Sequence, residues 1–106
     1  MDTVRASIVW AGPAVDILRL FVEPATDSGA VVHDEDIVLF CALDEQEAPT
    51  GPVTGVEIIS FLEFDSWENL PDLGLLLLLP GQKPLPLDEL LKRAQKELRQ
   101  QAKATA

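Results

Sequence analysis

The chain has no tyrosine, one histidine, one cysteine and, from Leu20 to Gln82, no lysine or arginine. Each shortage excludes something. The single Cys41 allows no intrachain disulfide, and its place inside the apolar run from Ile37 to Leu43 marks a buried thiol rather than a nucleophile. The single His33 has no second histidine to complete a zinc set, and no serine sits in a glycine-rich elbow, so the pattern of nucleophilic catalysis is missing. No glycine-rich loop precedes a helix, which removes phosphate cradling. Long apolar stretches are lacking too. Ile37 to Leu43 and Leu75 to Leu79 fall far short of a membrane span, and the first residues carry neither the basic start nor the unbroken apolar stretch of a signal peptide. A cytoplasmic location without membrane contact is the resulting expectation.

What is present suffices for one core. At 106 residues, 47% of them apolar, the chain predicts a single domain over residues 1–106. Its charge is segregated: the stretch without lysine or arginine holds thirteen of the eighteen Asp and Glu residues, whereas Lys92, Arg93, Lys96, Arg99 and Lys103 crowd the end. An acidic body of this kind repels nucleic acid and attracts a basic partner. The basic tail reads as a solvated face complementing that body, so no nucleic acid is expected.

Val4, Ala6, Ile8 and Trp10 alternate with Thr3, Arg5, Ser7 and Val9, the period of a half-buried strand, until Gly12-Pro13 breaks it. Leu18, Leu20 and Val22 then share one face opposite Ile17, Arg19 and Phe21, predicting a hairpin. A short Val31-Val32 piece leads to a central strand at Ile37 to Leu43, and Val53 to Phe64 completes a second hairpin. Ser66-Trp67-Glu68-Asn69 can start one helical turn, limited by Pro71. Leu75 to Leu79 is too short for a helix and reads as a buried strand. Leu87, Leu90, Leu91, Ala94 and Leu98 recur at helical spacing behind Pro86, which predicts a helix at about 86–101 and a frayed tail at 102–106. The expected fold is α+β: an antiparallel sheet of about five strands within residues 3–80, with one C-terminal amphipathic helix packed on it.

One helix covers one face of such a sheet. The continuous apolar runs at 37–43 and 75–79 point to a second chain over the other face, hence a homodimer with Leu75, Leu77 and Leu79 at the contact; the alternative is a sheet that curls enough to bury its own second face.

Asp16-Ile17-Leu18-Arg19-Leu20, Asp36-Ile37-Val38-Leu39-Phe40, Asp44-Glu45 and Val53-Thr54-Gly55-Val56-Glu57-Ile58-Ile59 together resemble domain-of-unknown-function family 2283, a group of small, mostly bacterial proteins. The resemblance covers residues 16–61. It implies β-hairpins and no established activity, with a hint of toxin neutralisation from some relatives.

Three groups of side chains are candidates for chemistry. His33, Asp34 and Asp36 carry metal-ligand atoms, but neighbours in extended chain point to opposite faces, so a solvated acidic turn is the better reading and no cofactor or metal is expected. Gly55 inside a strand suggests a bulge or close backbone approach. Glu57 after it reads as a carboxylate on the solvent face of an edge strand, or else, with Asp44, as the lining of a pocket. The functional expectation is a small acidic protein-interaction module, regulatory or antitoxin-like, that binds a basic protein; the alternative is a small-molecule-binding protein or enzyme with a carboxylate-lined pocket.

Overall fold

Alternation decides which residues face inward. In the computed structural model, which describes residues 1–105, β1 (Asp2–Ala11) and β2 (Ile17–Val22) form the first hairpin, with Ile8 opposite Leu20 and Trp10 opposite Leu18. β3 (Ser28–Asp34) and β4 (Ile37–Ala42) form the second, closed by Glu35 and Asp36. β5 (Val53–Ile59) enters between β4 and β2, and β6 (Leu75–Leu78) lies beside β1. The order is β3-β4-β5-β2-β1-β6, antiparallel except for the parallel β1–β6 pair.

The sheet therefore has six strands, not five. The strand missed in the sequence is β3, whose Ser28, Gly29 and Ala30 have little strand propensity and are held by pairing with Ala42, Cys41 and Phe40. β6 lies at the strand expected from Leu75 to Leu79, but its parallel pairing was beyond strand-by-strand reading, because its partner β1 is 73 positions away in sequence.

One face carries the core. Leu18, Leu20, Ile37, Leu39, Cys41, Val56, Ile58 and Leu77 are buried there against Leu87, Leu90 and Leu91 of α1 (Leu87–Thr105) and against Phe61 and Phe64. Phe61 and Phe64 belong to a connection with two short 3-10 turns, Phe61–Glu63 and Trp67–Asn69, the second at the predicted turn. Gln95 fastens α1 to this connection: its buried Nε2 donates to the carbonyls of Phe61 at 2.8 Å and Phe64 at 2.7 Å. The helix continues through 102–105, where fraying was expected, since Ala102, Lys103 and Ala104 are residues that favour helix; residue 106 lies outside the described residues.

Asp16 joins the first hairpin to the same connection. It has a positive φ of 54°, and its carboxylate accepts Trp10 Nε1 at 3.0 Å and the Leu62 amide at 2.9 Å.

Candidate functional site

The opposite face of the sheet is covered by no element among the described residues. Cross-strand register arranges it in rows. One row runs Val32, Val38, Glu57, Arg19, Val9, and the next runs Ala30, Phe40, Gly55, Phe21, Ser7. Ala11, Ile17 and Ile59 form the beginning of a third. Val32 is 78% exposed and Val9 60% exposed, at the two ends of one row, so the apolar character reaches both margins. Isolated apolar residues in water are ordinary; a contiguous patch of them marks an interaction site.

Glycine shapes the middle of this face. The Phe21 and Phe40 rings lie 5.9 Å apart, flanking Gly55. A Cβ on Gly55 would stand 2.8 Å from the Leu20 carbonyl oxygen and 3.1 Å from Phe21 Cδ1, so a larger residue would force the backbone and the ring away. The register shift between Phe40 and Cys41, opposite Val53 and Gly55, is the irregularity expected of a strand glycine.

Glu57 sits at the centre of this face. β5 is an inner strand rather than an edge, and Arg19 Nε donates to Glu57 Oε1 at 2.6 Å. The two basic residues that precede the basic-free stretch, Arg5 and Arg19, both lie on this face; of the acidic residues within that stretch, Glu57 lies at its centre, Glu23 lies opposite Arg5, its amide donating to the Arg5 carbonyl at 2.8 Å, and Asp36 borders it, its carbonyl accepting the Ile59 amide at 3.0 Å. The face is thus nearly neutral, with the acidic charge displaced to loops and strand ends around it.

Asp44 is elsewhere. Glu57 lies opposite Val38, and at about 3.3 Å per residue the stretch from Val38 to Ala42 alone spans about 13 Å, with Asp44 beyond it. Its carboxylate folds the β4–β5 loop, accepting the amides of Gln46 at 2.8 Å and Ala48 at 2.9 Å and the Thr50 hydroxyl at 2.8 Å. The Ala48 amide and then the Thr50 hydroxyl hold its carboxyl below the usual aspartate range. A folded-state pKa depressed in this way contributes stability above the unfolded-state pKa, and the contribution is lost as pH falls through the folded value. Asp44→Ala is therefore expected to flatten the acid limb of loop stability. Amide exchange of Gln46 and Ala48 followed from neutral to acid pH checks this; an unchanged acid limb would refute it.

His33 is used structurally, its Nε2 donating to the Asn69 carbonyl at 2.9 Å and so tying β3 to the second 3-10 turn. Asp34 ends β3 and Asp36 lies in the turn beyond it. Among the described residues no group of three or more His, Cys, Asp and Glu side chains is placed to hold a metal ion.

The odd-numbered leucines turn to the core. Leu77 has no accessible surface, while Leu75 and Leu79 are half-buried on the same side; Leu76 and Leu78 point to the uncovered face. An interface through Leu77 is therefore replaced by packing within the chain. The residues that sequence reasoning missed are those of the two rows above other than Glu57, and their signal was the alternate set Ile17, Arg19 and Phe21 in β2.

Two of the helix cations have partners other than carboxylates. Lys92 Nζ is 5.7 Å from the Trp67 ring centre, and Arg99 Nε donates to the Leu62 carbonyl at 2.7 Å. No helix among the described residues is long and apolar enough to cross a membrane. Comparison with protein-family models, curated proteins and solved structures gives no match.

Proposed function

We propose that this protein is a cytoplasmic association module that acts by binding rather than by chemistry, its uncovered sheet face buried against a second copy of itself. The observation that carries this is the apolar, nearly neutral face just described. Five strands at about 4.8 Å and six residues at about 3.3 Å make an area of about 24 by 20 Å. Two such faces bury about 1,000 Å² together, the lower bound for a specific contact. Stacking about a two-fold axis sets one Arg19–Glu57 pair near the other, an arrangement without net charge, and leaves the acidic loops outside. A regulatory or toxin-neutralising role toward a basic protein suits those loops. The carboxylate-pocket alternative is weakened because Glu57 is committed to Arg19 and Asp44 to its own loop.

Sedimentation equilibrium tests the dimer. Wild-type protein is expected to be dimeric at micromolar concentration, and Ser7→Lys with Val9→Lys, both on exposed positions of the face, is expected to make it monomeric with an unchanged far-ultraviolet circular dichroism spectrum. A wild-type monomer at that concentration would sink the proposal.

A further inference from the structure

We infer that the outer edge of β3 is a strand-addition site for an extended, basic segment of a partner protein. The two edges of the sheet are not alike. On β6 the outer side is already occupied: the Leu77 amide donates to the Leu85 carbonyl at 2.7 Å and the Leu85 amide donates back at 3.0 Å, with Pro80, Pro84 and Pro86 nearby in sequence. The outer side of β3 has no such cover among the described residues. Its protection is slight: Ser28 to Asp34 contains no proline and no lysine, and the one register shift, between Val32 and Asp34, lies at the end of the strand. Its middle residues, Ala30 to His33, are exposed, and the His33–Asn69 hydrogen bond holds the edge in place before any partner arrives. A row of unpaired backbone donors and acceptors on a preformed strand is what β-strand addition requires.

Charge selects the occupant. Asp34, Glu35 and Asp36 stand at one end of the edge. At the other end lies Asp27, whose carbonyl accepts the Leu43 amide at 3.1 Å and so brings the loop bearing Asp44 and Glu45 alongside. A second copy fits poorly here. Antiparallel pairing of two β3 edges would lay each acidic turn against the other's acidic loop, and parallel pairing would bring the turns together. An extended segment with apolar or β-branched residues in the middle and lysine or arginine at both ends meets opposite charge at each end. The edge remains open whether or not the uncovered faces pair, so this site goes beyond the dimer reading.

The probe is a synthetic peptide of alternating valine and threonine with Lys-Arg at both ends, titrated into isotope-labelled full-length protein. Binding is expected to slow amide exchange within Ala30 to His33. Methylating alternate peptide nitrogens is expected to abolish binding, and Asp34→Lys with Glu35→Lys to weaken it about tenfold, the scale of several exposed charge pairs reversed. The same titration on the Ser7→Lys, Val9→Lys variant separates the two proposals, since binding at the edge persists there even if the dimer is lost. Equal binding of the methylated peptide would overturn the inference. So would protection of β3 amides that grows with protein concentration in the absence of peptide, which would assign the edge to a second copy.

Discussion

Gln95→Glu is expected to destabilise the fold by about 3 kcal/mol or more at neutral pH, the scale of burying a charge against groups that cannot stabilise it. The native side chain is 6% exposed, and its amide donates two hydrogen bonds to backbone carbonyls. A carboxylate in that place would present oxygen to oxygen on both sides. Protonation relieves part of the conflict, because a neutral glutamic acid can donate one bond. The introduced group therefore has a folded-state pKa above its unfolded value, so the native state binds more protons than the unfolded state between the two, and stability falls as pH rises through that window. Urea denaturation at acid and neutral pH measures the effect, with the deficit smaller in acid. Gln95→Leu serves as control: it leaves both carbonyls without their donor, about 2 kcal/mol, with no dependence on pH from this site. Equal deficits for Gln95→Glu at both pH values would show that the carbonyl contacts do not govern this position.

Asp16→Ala is expected to cost about 3 kcal/mol and Asp16→Asn less than about 1 kcal/mol. Alanine removes the acceptor for both Trp10 Nε1 and the Leu62 amide and must hold a positive φ that suits it poorly. Asparagine keeps an oxygen at Oδ1, which lies within 3.2 Å of the Leu62 amide as well as 3.0 Å from Trp10, and it tolerates the left-handed backbone. Chemical denaturation with Trp fluorescence reads the difference. Equal losses for the two variants would mean that hydrogen bonding by this oxygen is not what holds the hairpin to the connection at Leu62.

Where local pattern and packing agree, the sequence was readable. The alternation of Val4, Ala6, Ile8 and Trp10, the two faces of β2, the central strand at Ile37 and the helical spacing from Leu87 to Leu98 all describe residues whose neighbours along the chain report their environment. The failures share a different cause. Gly29 and Ala30 are strand residues because β4 pairs with them, and Leu75 and Leu77 face inward because β1 lies beside them in parallel. The same reason hid the candidate surface: Val9, Arg19, Glu57, Val38 and Val32 come from five strands and form a row only through register. Glu57 looked like a lone carboxylate between apolar neighbours because its partner Arg19 is distant in sequence.

The parallel pairing of β1 with β6 also orders events during folding. β1 can join β2 through a short connection, and β3, β4 and β5 can assemble by successive hairpins, all at small loop-closure entropy. The β6 contact joins residues 73 positions apart, as Asp2 is from Leu75, and α1 follows it in sequence. Contacts of such long range form after local ones have reduced the entropy still to be lost. Until β6 docks, the outer edge of β1 is open, and Leu20 and Ile58 lack the helix side of their cover. The two-stage closure therefore sets when the core becomes protected from other chains: late, on completion of the C-terminal segment.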